Sequence, residues 1–384
     1  MNGQTPSALI VVGLGWGDEG KGATVDALAA RHPADRVVRF NGGQQAAHNV
    51  VAGKVHHTFA NFGSAGLSGV PTWVAGDCTV EPSAAWAERL ALRSLGVDPD
   101  LFVVEDCLVT TALHVAANRA REAARGAGRH GSTGRGFGET IAYGLDQPEW
   151  APRARDLAEP AAFLAKGERL LAHYGEQGVL DPEGFDRAEL RAALERQCAD
   201  AAAGLRLVSA DRLLEEIGAG RTIFEGAQGF WLDQNFGFQP HTTWSTTTPA
   251  PARRLCRQAG IGDVTAIGCV RTYATRHGAG PLPAEGAMPP GRVPSDDPGA
   301  RTYRPPEPHN GDAAFAGVFR VAPHDPAYLR AAIDQTMVDV LAVNHLDVYD
   351  HFATTSGPMP LDSFGPVLVR AAGPDRADRQ FTGI

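Results

Sequence analysis

Short apolar runs alternate along the chain with longer segments of helical composition. The first run, Ala8–Val12, ends at a glycine-rich segment over residues 13–22, and Ala23–Arg31 follows with helical character. A strand, a glycine loop and a helix in this order mark the beginning of an α/β unit. Further short runs with the composition of strands are Arg36–Phe40, Thr72–Gly76, Phe102–Glu105, Thr222–Phe224, Val264–Val270 and Leu341–Val343.

The segments between these runs favour helices, most clearly residues 156–218, which are rich in Ala, Leu, Arg and Glu. Strands that alternate with helices predict an α/β fold whose large central sheet is mostly parallel. A stretch dense in proline and glycine, at about residues 278–310, predicts a long irregular surface loop. Neither an internal repeat nor a linker divides the sequence, so we expect residues 1–384 to form a single domain.

The composition limits the kinds of molecule that this protein is expected to bind. The 384 residues include 43% hydrophobic residues and carry a formal net charge of −9, which argues against a general binding surface for nucleic acid. No run approaches the roughly 20 apolar residues that span a bilayer, and the N-terminus lacks the basic region of a signal peptide. The five cysteines form no CxxC pair, which is typical of reduced thiols. We therefore expect a cytoplasmic protein whose partners are small molecules, with no nucleic acid and no membrane among them.

The segment Gly13–Gly22, with the sequence GLGWGDEGKG, is the strongest candidate for a phosphate site. Closely spaced glycines let backbone N–H groups approach an anion, and the start of a helix adds a favourable dipole. Lys21 supplies a positive charge, although it is not followed by the Ser or Thr of a Walker motif. Asp18 is suited to bind a metal ion or to accept a proton. The alternative is a structural turn, which the Asp and the Lys in the same loop make less favourable.

Other polar segments follow predicted strands or lie in glycine-rich turns. His48 comes shortly after the second strand, where an imidazolium can stabilise a phosphoryl group; the alternative is a structural histidine. Residues 131–138, GSTGRGFG, form either an anion-binding nest or a flexible loop. The threonine run within residues 240–249 predicts either an edge strand or a hydroxyl-rich binding wall. Asp347 follows the last strand, where it can pair with the ring N–H groups of guanine or cap a helix.

These segments occur in a characteristic order: GWGDEGKG, NGGQQAAH, STGRGFG, FEGAQG, TYATRHGAGP, NHLDVYD and GPDR. Together they are more specific than any one alone, and their order and spacing resemble the adenylosuccinate synthetase family over nearly the whole chain. The resemblance implies a P-loop-like nucleotide-binding core, a large, mostly parallel sheet flanked by helices, and a homodimer. It also implies a ligase of purine metabolism that uses GTP, with Mg²⁺, to phosphorylate the 6-oxo group of IMP before the amine of aspartate displaces the phosphate.

The same resemblance implies roles for individual residues. Asp18 is the catalytic base, Lys21 contacts the phosphates, and His48 is the acid that stabilises the transferred phosphoryl group. Asp18 and the carbonyl of Ala47 are the implied magnesium ligands. The implied nucleotide-binding residues are Gly17, Glu19, Gly20, Gly22, Arg320, His345, Asp347 and Gly373. The implied acceptor-binding residues are Gln45, Ser132, Thr133, Gln228 and Thr243.

The chain departs from the family pattern in the segments that recognise substrates. The family motif NAGH is QAAH here, and the lysine of the family motif TKLD is replaced by His345. The arginine-rich loop that binds aspartate corresponds to residues 312–320, in which only Arg320 is basic. The arginine that reaches the nucleotide of the partner subunit is absent from residues 147–149. The phosphoryl-transfer half of the site therefore matches the family better than the substrate-recognition half.

These departures leave three hypotheses open. The first is a specialised ligase that acts on a purine-like acceptor with an amine other than free aspartate, because a buried carboxylate beside Asp312 and an apolar segment would lack a charged partner. The second is an ordinary adenylosuccinate synthetase, in which Arg301 or Arg304 supplies the missing charge. The third is a nucleotide-binding regulator without ligase activity, which the presence of the whole phosphoryl-transfer set disfavours.

Overall fold

The computed structural model describes residues 7–286, 315 and 317–382. Arg301, Arg304 and Asp312, on which parts of the substrate hypotheses depend, lie outside the described residues. The described helices are α1 (Lys21–Arg31), α2 (Pro82–Ser94), α3 (Ala112–Arg125), α4 (Phe137–Asp146), α5 (Pro160–Glu176), α6 (Arg187–Gly204), α7 (Ala210–Gly218), α8 (Ala250–Gln258) and α9 (Pro326–Thr336).

The described strands form one large sheet and several small ones. They are β1 (Ser7–Gly13), β2 (Arg36–Arg39), β3 (His48–Ala52), β4 (Val55–Phe59), β5 (Thr72–Val74), β6 (Thr79–Val80), β7 (Leu101–Val104), β8 (Leu108–Val109), β9 (Arg206–Val208), β10 (Arg221–Glu225), β11 (Asp263–Arg271), β12 (Ala274–His277), β13 (Phe319–Ala322), β14 (Val340–Asn344), β15 (Phe352–Thr354), β16 (Gly357–Met359), β17 (Val367–Ala371) and β18 (Arg379–Phe381).

The large sheet has ten strands in the order β18-β17-β14-β11-β1-β10-β2-β5-β7-β9. Every neighbouring pair in it is parallel except β17 and β18. Parallel strands of this kind need crossover connections, which the helices between them provide.

β1 shows why its sequence is apolar at almost every position. Ile10 and Val12 belong to the core on one face of the sheet, whereas Val11 belongs to the core on the other face. α1 covers that second face with Val25 and Leu28, and helices α2, α3, α5 and α6 contribute to the first core. A parallel strand that is covered on both faces needs apolar side chains in both directions.

The centre of the sheet determines where a ligand can bind. β1 pairs in parallel with β10 on one side and with β11 on the other. The segments that follow the carboxyl ends of β1, β2, β10, β11 and β14 therefore gather at one edge of the sheet. Most of the residues predicted to bind substrates lie in these segments.

The predicted α/β fold with a large, mostly parallel sheet flanked by helices is confirmed. Each predicted strand is present, with its ends shifted by at most two residues. The threonine run is not an edge strand, because residues 242–248 contain bends and irregular backbone only. The pairs β3–β4 and β12–β13 were not predicted from the sequence.

Two other expectations concern the surface and the thiols. Residues 278–286, the described part of the predicted irregular loop, contain no helix or strand. Among the described helices, none combines the length and the apolar character needed to cross a membrane. All five cysteines are buried and free.

Candidate active site

The glycine-rich loop between β1 and α1 is folded around the carboxylate of Glu19. This carboxylate accepts hydrogen bonds from the N–H groups of Gly15, at 3.0 Å, and Gly17, at 2.7 Å. It also forms a buried salt bridge of 2.7 Å with the ammonium group of Lys21. The side chain of Glu19, a predicted nucleotide-binding residue, therefore supports the loop from inside. Within the described part of the chain, no side chain caps the start of α1 after Gly20, and the first N–H groups of a helix can bind an anion.

Asp18 lies in the same loop with φ 62°, a left-handed conformation that is uncommon for a residue with a side chain. Arg271, at the end of β11, donates from Nε to the backbone carbonyl of Asp18 at 2.5 Å. His277, at the end of β12, lies with Nε2 at 2.9 Å from Oδ2 of the carboxylate. Burial alone would raise the pKa of Asp18, but His277, Arg271 and Lys21 lower it to about 2. The carboxylate is therefore ionised near neutral pH.

His48 is oriented by a buried carboxylate. Its ring nitrogen Nδ1 lies 2.5 Å from Oε1 of Glu225, at the end of β10. Ser64 donates its backbone N–H to Oε2 of Glu225 at 2.8 Å and its hydroxyl to Oε1. An ionised carboxylate at Nδ1 favours the tautomer with the hydrogen on that nitrogen, which leaves Nε2 for a ligand.

Burial acts on both members of this pair. It disfavours the imidazolium, so the pKa of His48 lies below its ordinary value, although Glu225 acts in the opposite direction. Burial would raise the pKa of Glu225, but His48, Arg39 and the hydrogen bond from Ser64 lower that pKa to about 2. Glu225 is therefore ionised near neutral pH. Burial and the Glu225 carboxylate act in opposite directions on His48, and a phosphate group at Nε2 would favour the protonated imidazole.

Gly22 allows the start of α1 to approach His48 closely. A Cβ atom at Gly22 would lie 2.5 Å from Cβ of His48 and 2.7 Å from Oγ of Ser64, so a larger residue would push these elements apart. The positive charge of Lys21 lowers the pKa values of both Asp18 and His48, as a smaller cause than those given above. The fold therefore brings together the three residues predicted to carry out phosphoryl transfer.

Three segments with predicted acceptor-binding residues are joined to one another. Asn41 donates from its amide to the carbonyl of Ala227 at 3.2 Å and accepts from the N–H of Ala227 at 2.8 Å. Gly42 donates its N–H to the hydroxyl of Ser245, in the threonine run, at 3.3 Å. The segments after β2 and β10 and the threonine run therefore form one continuous surface.

Buried polar atoms on this surface lack hydrogen-bond partners among the described residues. They are both amide atoms of Gln45, Oε1 of Gln228 and Oγ1 of Thr243. Gln228 also has φ 65°, in the left-handed region. A buried polar atom without a partner is costly unless a ligand or water completes its bonding. The concentration of such atoms at three predicted residues fits a site for a polar acceptor.

Ser132 and Thr133 lie in a loop that adjoins this surface. Gln44 donates from Nε2 to the carbonyl of Arg135 at 3.2 Å, which links the loop to the segment after β2. The hydroxyl of Ser132 is engaged by the amide of Asn118 at 2.9 Å, whereas Thr133 is exposed. Of the two predicted residues, Thr133 therefore has the more accessible hydroxyl.

The segment after β14 lies beside the glycine-rich loop. Asn344 donates from Nδ2 to the carbonyl of Glu19 at 2.8 Å. Leu346 donates its N–H to the carbonyl of Ala371 at 2.9 Å, which brings the segment containing Gly373 alongside. The residues predicted to contact the base of the nucleotide thus adjoin the predicted phosphate site.

His345 and Asp347 occupy this segment. His345 has φ 66°, and its ring meets Tyr273 edge to face at 5.8 Å. Burial, followed by the charges of Arg271 and Arg379, holds the pKa of His345 well below its ordinary value. Asp347 is exposed within a turn, so it does not cap a helix. A neutral ring and an exposed carboxylate here are compatible with recognition of a base.

Arg320 is directed away from the glycine-rich loop. It lies opposite Arg276 in the antiparallel pair of β12 and β13, and directly opposite residues share a face of the sheet. Its guanidinium binds Glu285 at 2.6 Å and the carbonyl of Gly280 at 2.7 Å. The predicted contact between Arg320 and the nucleotide would require release of these two bonds.

Magnesium fits the site only with help from a substrate. The described residues contain no group of three or more His, Cys, Asp or Glu side chains that could hold a metal ion. Mg²⁺ is commonly bound by one or two carboxylates together with phosphate oxygens and water. The ionised Asp18 beside the glycine-rich loop fits this mode, as does the carbonyl of Ala47, an exposed residue next to His48.

Sequence reasoning did not identify the residues that hold the predicted ones in place: Ser64, Glu225, Arg271 and His277. Glu225 and His277 lie within the motifs FEGAQG and TYATRHGAGP, but neither motif indicates which side chain they contact. For Glu225, one signal was available, because an acidic residue directly after an apolar strand is expensive to bury without a function or a partner.

Comparisons with known proteins point to one family. The family model of adenylosuccinate synthetase matches residues 10–356. The adenylosuccinate synthetases of two strains of Neisseria gonorrhoeae are each 35% identical to this chain in an alignment of 288 residues, and the alignment covers 72% of this chain. The matched part spans about two thirds of the relatives' own length, 65% in one strain and 64% in the other.

Two solved structures share the fold at low sequence identity. The fully ligated adenylosuccinate synthetase of Plasmodium falciparum has a TM-score of 0.76 at 16% identity and covers 98% of this chain and 99% of its own. The succinoaminodeoxyadenylate synthetase PurZ of cyanophage S-2L, bound to dGMP and dATP, has a TM-score of 0.68 at 16% identity, with 99% of this chain and 97% of its own chain covered.

Proposed function

Because the chain belongs to the adenylosuccinate synthetase family, we propose that it is a ligase that forms a carbon–nitrogen bond at the expense of GTP. Its acceptor is a purine-like molecule with a carbonyl group, and its second substrate is an amine. The observation that carries this proposal is that Asp18 and Lys21, from one glycine-rich motif, and His48, from another, lie at one edge of the sheet.

The reaction proceeds in two chemical steps. The carbonyl oxygen of the acceptor attacks the γ-phosphorus of GTP as the ring N–H proton is removed, so an O–P bond forms and GDP leaves. The amine then attacks the carbon that carries the phosphorylated oxygen. A C–N bond forms, and the C–O bond breaks to release inorganic phosphate. Phosphorylation is needed because a carbonyl oxygen is a poor leaving group and phosphate is a good one.

The described residues can assist the first step. Asp18 is ionised and can accept the ring proton. His48, with Nδ1 held by Glu225, presents Nε2 to the phosphoryl group. It takes up a proton from water when the negatively charged phosphates bind, and the imidazolium then stabilises the transferred group. Lys21 is held by Glu19 and can move from this partner to a phosphate oxygen. Mg²⁺, held by Asp18 and the carbonyl of Ala47, would neutralise phosphate charge.

The base of the energy donor is guanine in this proposal. Asp347 is exposed beside the glycine-rich loop, and its carboxylate can accept hydrogen bonds from N1–H and the amino group of guanine. Adenine does not offer this pair of donors. The cyanophage protein with the same fold is bound to dATP as its energy donor, so the choice of base must be measured.

We further propose that the amine carries less negative charge than aspartate. Phe315 packs against Gly134 on the acceptor side of the site, where a Cβ atom added to Gly134 would lie 2.7 Å from the Phe315 ring. The guanidinium of Arg119 lies 5.2 Å from the centre of the same ring. Phe319 packs against His277 at a ring distance of 4.9 Å. Apolar side chains at this position suit a less charged amine, because carboxylates prefer charge-assisted arginine partners.

A screen of phosphate release tests the proposal. Full-length protein is incubated with GTP and Mg²⁺, and oxo-purine nucleotides and nucleosides, including IMP, GMP and dGMP, are crossed with aspartate and less charged amines. We expect release that requires GTP, an acceptor and an amine together, with an amine other than aspartate preferred. As a control, Asp18→Asn should remove the release in every combination.

The alternatives give different outcomes in the same screen. Efficient turnover of IMP and aspartate, lost on Arg304→Ala, would replace the specialised reaction by the ordinary family reaction. GTP binding without phosphate release in any combination would indicate a nucleotide-binding regulator. The proposed homodimer is tested separately by sedimentation, which should give twice the mass of the chain.

A further inference from the structure

β12 runs beside the glycine-rich loop and directs alternate side chains toward it. Thr275 donates its hydroxyl to the carbonyl of Gly17 at 3.4 Å, and His277, two residues later, contacts Asp18 at 2.9 Å. Residues two apart in a strand share a face, whereas Arg276 between them binds carbonyl groups on the other face. The strand therefore holds His277 against the loop as part of a regular pattern.

We infer that His277 is a positioning residue that holds the carboxylate of Asp18 by an oxygen that a divalent cation also needs. The inference rests on the proposed role of Asp18 as catalytic base and metal ligand. Arg271 binds the backbone carbonyl of Asp18, and His277 binds its side chain. The left-handed φ of 62° at Asp18 persists because both ends of the residue are held from outside the loop.

The position of His277 is itself restrained. Phe319 lies directly opposite His277 in the pair of β12 and β13, and the two rings are 4.9 Å apart. Cross-strand contacts of this kind limit the rotation of a side chain. His277 can therefore keep the carboxylate directed across the site before substrates arrive.

A divalent cation that used Oδ2 of Asp18 would compete with His277 for this oxygen. The side chains of both residues are partly exposed, 29% for His277 and 28% for Asp18, so an ion can reach the carboxylate. An ion that binds at Oδ2 would displace the imidazole. The free energy of the lost His277–Asp18 contact would then weaken metal binding by the same amount. The same contact prevents the carboxylate from turning away when no metal–nucleotide complex is bound.

The test measures Mn²⁺ binding by electron paramagnetic resonance, with full-length protein in the presence of GDP. His277→Leu removes the N–H donor, and His277→Gln keeps a donor near the position of Nε2. We expect His277→Leu to lower the Kd for Mn²⁺ about twofold to fivefold, the range for a partly exposed ion pair. We expect His277→Gln to retain the native Kd. An unchanged or higher Kd in His277→Leu would overturn the inference.

Two controls separate this effect from general damage. In an Asp18→Asn background, His277→Leu should no longer change the Kd for Mn²⁺, because the shared oxygen has lost its charge. Thr275→Val removes a contact from the same strand to Gly17 and should leave the Kd unchanged. A Thr275→Val effect equal to that of His277→Leu would also overturn the inference, because the strand as a whole would then be responsible.

Turnover gives a second readout once a substrate pair is known. We expect His277→Leu to lower kcat about tenfold to a hundredfold with little change in KM for GTP, because a misdirected base affects the chemical step. His277→Gln should restore most of kcat. Failure to find any substrate pair would count against the proposed ligase and leave the Mn²⁺ result intact, whereas ligase activity with no change in Mn²⁺ affinity would overturn the inference alone.

Discussion

Replacement of Glu225 by Gln should damage both stability and catalysis. Glu225 is fully buried, and its carboxylate accepts hydrogen bonds from His48 and from the backbone and hydroxyl of Ser64. Glutamine has almost the same shape but no charge, and one of its terminal atoms is a donor. If that donor faces the backbone N–H of Ser64, a hydrogen bond is lost. If it faces His48, Nδ1 must accept, which selects the opposite tautomer of the ring.

The pKa of Glu225 in the folded protein determines how much stability the substitution removes. The ionised form is favoured in the folded protein because the pKa falls from the ordinary 4.5 to about 2. At about 1.4 kcal/mol per pH unit, this difference corresponds to at most about 3.5 kcal/mol, and this limit is reached only while His48 is protonated, because its charge is the largest cause that lowers the pKa. Because the folded pKa is the lower one, this stabilisation is present above about pH 4.5 and is lost as the pH falls toward 2.

Urea unfolding of the native protein and Glu225→Gln near neutral pH measures the effect on stability. The difference in free energy of unfolding should be at most about 3.5 kcal/mol and should narrow below about pH 4.5. Turnover should fall about 10²–10⁴-fold, because His48 is no longer held in one tautomer and orientation. Glu215→Gln is the control: Glu215 is exposed and pairs with the exposed Arg212 at 3.3 Å, so its loss should cost less than about 1 kcal/mol.

The reasoning would be refuted if Glu225→Gln unfolded within about 1 kcal/mol of the native protein and kept near-native turnover. Loss of stability with full turnover would separate the two roles. Glu225 would then be a structural partner of His48 and Ser64, and the proposed orientation of His48 for phosphoryl transfer would be wrong.

The other predictions concern the loops around this pair. Asp18→Asn and His48→Ala should each lower turnover about 10²–10⁴-fold with an unchanged circular dichroism spectrum, and near-native turnover of either variant would remove its proposed role. Asp347→Asn should abolish a preference for GTP over ATP, measured as a ratio of kcat/KM; equal use of both by the native protein would contradict guanine recognition there. Gly22→Ala should destabilise the fold by about 1–3 kcal/mol in urea unfolding, because its methyl group would lie 2.5 Å from Cβ of His48. An unchanged urea midpoint would mean that α1 and β3 can move apart without loss of stability.

The elements of the central sheet could be predicted because their signals are local. Apolar runs such as Ala8–Val12 and Val264–Val270 are buried on both faces, so their sequences differ sharply from the turns that follow. The short pairs β3–β4 and β12–β13 were missed because their residues are a mixture of polar and apolar types. His56, His57, Arg276 and His277 are in these strands for the contacts they make, which a periodic pattern does not reveal.

The candidate site also has one part that the sequence predicted and another that only the tertiary structure revealed. The sequence by itself predicted a phosphate site with Asp18, Lys21 and His48, because glycine-rich motifs in a fixed order carry that information. Only the tertiary structure decided which partners control them: Glu225 lies 177 positions from His48, and His277 is far from Asp18 in the chain. The tertiary structure also decided that Glu19 supports the loop from inside and that Arg320 is turned toward Glu285. The direction of a side chain and its pKa depend on neighbours from other strands, and the pairing of strands brings those neighbours together.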